Sequence, residues 1–213
     1  MSTADIPLLL GAGGRSRRMG RPKHLLPYRG APWILWQLRR FAASGGWRVL
    51  VVLPEALDES RDLEWLGEAG ALGLRLKTLV QPDTAAPMSS SLRLAAQWAV
   101  LEGAGGAFWL PVDVPAPGPE LWRDLAAAAT TRGCEAAVPE GGGHPVWLGR
   151  YVLQRLADAP GEGQRLDLLL RELDFDGSLA RGAAEDPCCR INLNTPEEWV
   201  AWTRANAAEE GSA

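Results

Sequence analysis

The chain has 213 residues, a formal net charge of −4 and a sequence isoelectric point near 5.3. This length predicts one domain over residues 1–206 followed by a frayed tail at 207–213. The acidic balance argues against nucleic acid as the main partner, and no apolar run approaches the roughly 20 residues of a membrane helix. The amino terminus lacks the basic start of a secretory signal, so we expect a cytoplasmic protein without a membrane partner. The three cysteines have neither zinc-ligand nor redox-pair spacing.

Short apolar strands alternate along the chain with segments of helical periodicity. The strands are expected, in chain order, at 6–10, 47–53, 74–80, 107–112, 135–138, 145–148 and 190–193. The helices are expected at 32–44, 57–69, 89–101, 121–130, 151–157, 165–173 and 196–206. This alternation is typical of a parallel sheet covered on both faces. The expected fold is therefore a Rossmann-like three-layer α/β/α sandwich with a mostly parallel central sheet.

A glycine-rich loop at 11–14 follows the first predicted strand and leads into a cationic cluster. Glycines allow backbone N–H groups to approach an anion without a Cβ between them. The sign of the cluster is opposite to the net charge of the chain, which indicates a triphosphate ligand rather than a polyanion. The cluster consists of Arg15, Arg17, Arg18, Arg21 and Lys23.

The loop matches neither of the two common phosphate-binding fingerprints. The dinucleotide fingerprint requires glycine where Ser16 stands. The P-loop requires a serine or threonine directly after its lysine, whereas His24 follows Lys23. An NAD-binding protein is therefore the disfavoured alternative.

Loops that follow parallel strands meet at one edge of the sheet, so the loops at 11–23, 81–91 and 111–115 are expected to converge. Asp113 lies just after an apolar strand, and a lone carboxylate beside cationic loops is best explained as a Mg²⁺ ligand that shares the ion with substrate phosphates. A helix N-cap is the alternative role. Asn192 and Asn194 are expected on one face of the last strand, where either could offer a carbonyl oxygen to the metal.

Five motifs, in this order, resemble those of the MobA-like NTP transferases, the nucleotidyltransferases that attach CMP or GMP to molybdopterin. They are the glycine-rich loop with Arg18-Met19-Gly20 and Lys23, the segment 88–92, Asp113, the segment 143–146 and the segment 192–196. The resemblance extends from residue 8 to about residue 202. It implies the fold of the nucleotide-diphosphosugar transferases and a Mg²⁺-dependent reaction. In that reaction a phosphorylated acceptor attacks the α-phosphate of an NTP, CTP or GTP, and displaces pyrophosphate.

The resemblance also implies roles for individual residues. Backbone and side-chain groups of the loop would bind the nucleotide, through Ala12, Gly13, Gly14, Arg15 and Ser16. The base or sugar would be read by Gln81, Ser90 and Ser91. Arg18 and Lys23 would neutralise charge on the α-phosphate and the leaving group. Asp113 with Asn194, or with Asn192 as the second choice, would hold Mg²⁺, and His144 would face the acceptor.

The nucleobase and the acceptor stay open at this point. Ala12-Gly13-Gly14 resembles the guanylyl branch of the family, whereas the basic loop, the serines at 89–91 and Gly143-His144-Pro145 resemble the cytidylyl branch. The cytidylyl branch often carries aspartates at the positions of the two asparagines. Molybdopterin is the first choice of acceptor, and a sugar phosphate or another phosphorylated metabolite is the second. A non-catalytic nucleotide-binding module is a further alternative, and a homo-oligomer is compatible with the sequence.

Overall fold

A computed structural model describes residues 5–14, 16–55, 64–82 and 86–206, without the side chain of Arg17. Its strands are β1 (Leu8–Gly11), β2 (Pro27–Tyr28), β3 (Ala31–Pro32), β4 (Arg48–Pro54), β5 (Arg75–Gln81), β6 (Gly106–Pro111), β7 (Ala136–Pro139), β8 (Val146–Gly149) and β9 (Leu179–Gly182). Its α-helices are α1 (Trp33–Ala43), α2 (Trp65–Ala71), α3 (Met88–Leu101), α4 (Pro119–Arg132), α5 (Arg150–Asp158), α6 (Leu166–Phe175) and α7 (Pro196–Ala205). Short 3₁₀ helices lie at Arg17–Met19, Lys23–Leu25 and Pro187–Arg190.

The central sheet has seven strands in the order β5-β4-β1-β6-β8-β7-β9. The pairs β5-β4, β4-β1, β1-β6 and β7-β9 are parallel, whereas β8 runs antiparallel to both of its neighbours. The strands β2 and β3 form a separate two-stranded hairpin. The prediction of a mostly parallel central sheet is confirmed.

Apolar side chains fill both faces of this sheet. Along β1, Leu8 and Leu10 belong to one core and Leu9 to the other, as the period of a strand requires. The first core is covered by α1, α2, α4 and α7, and the second by α3, α5 and α6. Two buried layers on one sheet make the three-layer sandwich that the alternating pattern predicts. No helix among the described residues is long and apolar enough to cross a membrane.

The strand predicted at 190–193 is wrong. Arg190 ends a 3₁₀ helix, and the amides that follow bond irregularly: Ile191 N donates to the Cys188 carbonyl and Leu193 N to the Asp113 carbonyl, over 3.1 and 2.8 Å. The edge of the sheet beside β7 is taken instead by β9, which the sequence reading missed. Asn192 and Asn194 therefore do not share the face of a strand.

An aromatic cluster attaches the last helix to the first one. Trp33 and Trp36 of α1 stack with ring centroids 4.7 Å apart, and Trp202 of α7 contacts both rings edge-on. Tyr28 and Trp199 complete the cluster. Packing inside the chain therefore accounts for the tryptophans at the start of α1.

Candidate active site

The end of β1 and the loop after it pass so close to their neighbours that one position in each excludes a side chain. A Cβ on Gly11 would meet the ring of Trp109, and a Cβ on Gly13 would lie 2.8 Å from both Gln81 Oε1 and Ser91 Oγ. Ser91 donates a hydrogen bond to Gln81 Oε1, and both side chains are buried. Glycine at 13 therefore allows the loop backbone to lie against a polar pair from β5 and α3.

Ser16 turns the loop toward Lys23. Its φ of 45° lies in the left-handed region, which non-glycine residues seldom adopt. The Ser16 carbonyl accepts from Met19 N at 2.9 Å, and the Ser16 hydroxyl accepts from Lys23 N at 3.2 Å. The hydroxyl thus fixes the backbone of Lys23, seven residues further along the chain.

Lys23 Nζ lies between two oxygen atoms from distant parts of the chain. It donates to Asp113 Oδ2 at 3.1 Å and to Asn194 Oδ1 at 2.8 Å. The side chains of Lys23 and Asp113 are only 13% and 14% exposed, so this ion pair is largely shielded from water. The structure therefore joins the predicted catalytic lysine to both predicted metal ligands.

Buried groups of α1 hold the segment that carries Asp113. Trp33 Nε1 donates to the Val112 carbonyl at 2.7 Å, and Gln37 Nε2 donates to the Val114 carbonyl at 2.8 Å. Gln37 also accepts from Ala116 N through Oε1. Helix α4 begins at Pro119 with Gly118 as its N-cap, so the alternative N-cap role for Asp113 is wrong.

Asn194 is positioned from both sides. The backbone bond from Leu193 N to the Asp113 carbonyl places the segment before α7 against the end of β6. Glu198 Oε2 accepts from Asn194 N at 2.7 Å and from Thr195 N at 2.9 Å, and Thr195 Oγ1 accepts from Glu198 N. This capping box fixes both the start of α7 and the backbone of Asn194.

The three loops converge on a cleft of about 300 Å³ at the carboxyl edge of the sheet. Ten of the residues predicted to belong to the site line this cleft. They are Ala12, Gly13, Gly14, Ser16, Arg18, Lys23, Gln81, Ser91, Asp113 and Asn194. Ala86 and Met88 complete the wall on the side of α3. Arg15 lies outside the described residues.

Two predicted residues are placed elsewhere. Ser90 donates to the Glu162 carbonyl at 2.9 Å, which ties α3 to the turn before α6. Asn192 is exposed, and its Nδ2 lies 3.5 Å from the Arg190 carbonyl. Of the two asparagines, Asn194 is the one beside Asp113.

His144 lies in a neighbouring cleft of about 510 Å³, which shares Met88 with the first one. The walls of this cleft include Ser89 and Leu92 of α3, and Leu166 and Leu170 of α6, with the charged Arg165 and Asp167 at the start of α6. Burial lowers the pKa of His144 to about 4, against the opposing effects of the Asp113 charge and a hydrogen bond to the Trp109 backbone. The imidazole is therefore neutral near pH 7, and its buried Nδ1 makes no hydrogen bond within the described structure.

The oxygen atoms beside Lys23 suit a hard divalent cation. Asp113 supplies a carboxylate, Asn194 supplies an amide oxygen, and a cationic ammonium group already lies between them. Among the described residues no group of three or more His, Cys, Asp or Glu side chains could hold a metal ion alone. The pair matches Mg²⁺, which binds through one or two protein oxygens together with substrate phosphates.

Two residues that position the site, Gln37 and Glu198, were not predicted from the sequence. Gln37 is a fully buried polar residue on the apolar face of α1, next to Ile34, Leu38 and Phe41. A polar residue on the apolar face of a predicted helix was the available signal, because a buried amide side chain needs hydrogen-bond partners. For Glu198 the available signal was the capping-box spacing of Thr195-x-x-Glu198.

Comparison with known proteins gives a consistent result. The MobA-like NTP transferase domain matches residues 8–176. A molybdenum cofactor guanylyltransferase from Rhodobacter capsulatus is 31% identical in an alignment 202 positions long, and this alignment covers 88% of this chain and 89% of that protein.

Solved structures share the fold at lower identity. One is a Mycobacterium tuberculosis H37Rv protein in complex with manganese, with a TM-score of 0.62, 22% identity, and coverage of 94% of this chain and 98% of that one. Another is a putative glucose-1-phosphate thymidylyltransferase from Bacillus anthracis, with a TM-score of 0.73, 15% identity, and coverage of 95% and 94%. The fold, the family and the enzyme class expected from the motifs are confirmed. The chain belongs to the MobA-like NTP transferase family and is a nucleotidyltransferase.

Proposed function

We propose that the protein transfers GMP from GTP to the phosphate of molybdopterin or its molybdenum-loaded form and releases pyrophosphate. The observation that carries nucleotidyl transfer is the contact of Lys23 with Asp113 and Asn194 at the rim of the glycine-rich loop. The choice of GTP is supported by Ala12-Gly13-Gly14 and by the guanylyltransferase from Rhodobacter capsulatus. The same relative supports the acceptor.

In this reaction an oxygen of the acceptor phosphate forms a bond to the α-phosphorus of GTP while the bond to pyrophosphate breaks. Amides of the loop at Gly13 and Gly14 bind the phosphates, and the cations of Arg18 and Lys23 offset charge that develops on the α-phosphate and the leaving group. The predicted role of the Ala12 amide is wrong, because that N–H already donates to the Val52 carbonyl at 2.8 Å. Asp113 and Asn194 would hold Mg²⁺, which supplies Lewis-acid stabilisation of the phosphoryl oxygens. The manganese bound by the Mycobacterium tuberculosis neighbour supports a divalent cation in this fold.

The base is read, in this proposal, by the buried pair of Gln81 and Ser91. Because the Ser91 hydroxyl donates to Gln81 Oε1, the orientation of the Gln81 amide is set before the nucleotide arrives. Ser90, whose hydroxyl is engaged with Glu162, would act through the placement of α3 rather than by contact with the base.

The acceptor would enter from the cleft of His144. That cleft adjoins the nucleotide cleft at Met88, so an acceptor phosphate at the junction can reach the α-phosphate. The neutral imidazole of His144 can donate or accept a hydrogen bond without adding charge. Its buried Nδ1 is a polar atom that a ligand in this cleft could satisfy.

The second candidate is transfer of CMP to the same acceptor. It is supported by the basic segment from Arg15 to Lys23 and by Gly143-His144-Pro145, which resemble the cytidylyl branch. A sugar phosphate is the less supported acceptor, because the thymidylyltransferase neighbour is only 15% identical. Cytoplasmic location and a homo-oligomeric state stay predictions.

A calorimetric panel of GTP, CTP, ATP and UTP with and without Mg²⁺ tests the nucleotide. We expect GTP with Mg²⁺ to bind at least tenfold tighter than the other three. Tighter binding of CTP would replace GMP transfer by CMP transfer. Binding of GTP that does not depend on Mg²⁺ in the wild type would remove Asp113 from the metal role.

A further inference from the structure

We propose that Lys23 blocks the metal site in the nucleotide-free protein. Its ammonium group binds the two metal-binding oxygens and leaves them only when nucleotide phosphates attract it. Metal would then enter with the nucleotide and not before it. This inference rests on the proposed function, because it assumes that Asp113 and Asn194 hold the divalent cation.

The positions of the three groups carry the inference. Nζ of Lys23 contacts Asp113 Oδ2 and Asn194 Oδ1 at once. A metal ion bonded to the same two oxygens would need the space between them that Nζ occupies. The ammonium group and the metal cannot both occupy this place.

Charge strengthens the competition. Asp113 is the only carboxylate among the described residues that line the cleft, and Lys23 already neutralises its charge. This ion pair is largely shielded from water. A divalent ion that approached in the presence of the ammonium group would meet a neutral pair instead of a free carboxylate. The ammonium group also repels the divalent ion, and this repulsion is stronger in a partly buried site than at the surface because it is less screened.

The local structure lets Lys23 change partners without a large rearrangement. Its backbone is fixed by the Ser16 hydroxyl, whereas the side chain reaches the two oxygens through a flexible four-carbon stem. The glycine-rich loop lines the same cleft, so phosphates bound there would lie within reach of the stem. A triphosphate carries more negative charge than Asp113 and can draw the ammonium group away.

Mn²⁺ binding, followed by electron paramagnetic resonance of the free ion, tests the proposal on purified full-length protein without nucleotide. The variants are Lys23→Met and, as the matched control, Arg18→Met, which removes one cation from the same cleft at a position not paired with Asp113. We expect Lys23→Met to bind Mn²⁺ at least tenfold tighter than the wild type. Arg18→Met should stay within about twofold of the wild type, because the repulsion between Mn²⁺ and one exposed, well-screened cation is small.

A second measurement uses only the wild-type protein, so its result does not depend on the folding of a variant. Its affinity for Mn²⁺ should rise at least tenfold when GTP is present. The proposal is overturned if wild-type protein binds Mn²⁺ equally well with and without GTP while still binding GTP, if Lys23→Met gains nothing, or if Arg18→Met gains as much. Failure of the wild type to bind any NTP would instead overturn the proposed function, and the comparison of the Mn²⁺ affinities would still stand.

Discussion

Gly13 lies against the Gln81 and Ser91 pair, whereas a Cβ on the neighbouring Gly14 would meet no atom within 4 Å. Gly13→Ala would place a methyl group 2.8 Å from each of the two buried polar atoms and so force their hydrogen bond apart. Such overpacking typically costs about 1–3 kcal/mol. We expect this loss in the free energy of unfolding measured by urea denaturation, together with weaker GTP binding.

Gly14→Ala is the matched control, because the same methyl group one residue later meets nothing within 4 Å. Its free energy of unfolding should lie within about 0.5 kcal/mol of the wild type. Equal destabilisation by the two substitutions would show that the close approach at Gly13 does not restrict the loop.

The lowered pKa of His144 predicts a pH dependence of stability. With a pKa of about 4 in the folded protein and 6.5 as its ordinary value, the unfolded chain binds more protons between these limits. The contribution of His144 to stability is therefore full above pH 6.5 and is lost as the pH falls toward 4. The slope approaches about 1.4 kcal/mol per pH unit at most.

His144→Gln removes this titration, so the wild type should lose about 1–2 kcal/mol more than the variant between pH 7 and pH 5. The free energy of unfolding of both proteins, measured by urea denaturation at the two pH values, checks this difference. Parallel pH curves for the two proteins would mean that His144 is not desolvated in the folded state.

At the residue scale, positions at strand ends were predictable and side-chain partners were not. Lys23 and Asp113 meet as expected because each lies in a loop at the carboxyl edge of the sheet. Asn194 joins them although the segment before it is not the predicted strand. Ser90 and Ser91 are adjacent in sequence, but a helix turns neighbouring side chains about 100° apart, so only Ser91 reaches the cleft. Nothing in the sequence pattern distinguished these two serines.

At the scale of elements, the capping box of α7 links helix stability to the metal site. Glu198→Ala removes the acceptor for the amides of Asn194 and Thr195, and loss of such a cap typically costs about 1 kcal/mol. We expect this decrease in the free energy of unfolding. The affinity for GTP with Mg²⁺ should also fall, because the Asn194 backbone loses its anchor.

Glu197→Ala provides the control for charge near the start of α7. Glu197 is also an acid in the first turn and is exposed, so both substitutions change the interaction with the helix dipole alike. We expect little change in the affinity for GTP with Mg²⁺. If Glu197→Ala weakens that affinity as much as Glu198→Ala does, helix charge rather than the capping box supports Asn194.

Most elements could be predicted because their apolar runs are long or periodic, and the failures are short segments. Ile191 and Leu193 alternate with polar residues as a strand would, yet their amides bond to Cys188 and Asp113. The true last strand, β9, has only four residues and no continuous apolar run, so its partner β7 defines it rather than its own sequence. Tertiary pairing of this kind is not visible in local periodicity.

At the scale of the whole molecule, the order of the strands creates the site. The neighbours β5, β4, β1 and β6 are parallel, so the loops that carry Gln81, Gly13 and Asp113 all leave the same edge. The segment before α7 brings Asn194 to this edge from the far end of the chain. The aromatic contacts of α7 with α1 hold that segment against the sheet.

The most direct test of the central claim is transfer of labelled GMP from α-labelled GTP to molybdopterin or its molybdenum-loaded form, with pyrophosphate release measured in the same sample. The proposed GMP transfer predicts acceptor-dependent, Mg²⁺-dependent release of one pyrophosphate per GMP transferred, and a loss of at least about 100-fold in the rate for Lys23→Ala and Asp113→Asn. Transfer at the wild-type rate by Lys23→Ala, or no transfer of GMP or CMP to this acceptor by wild-type protein that binds the nucleotide, would contradict it.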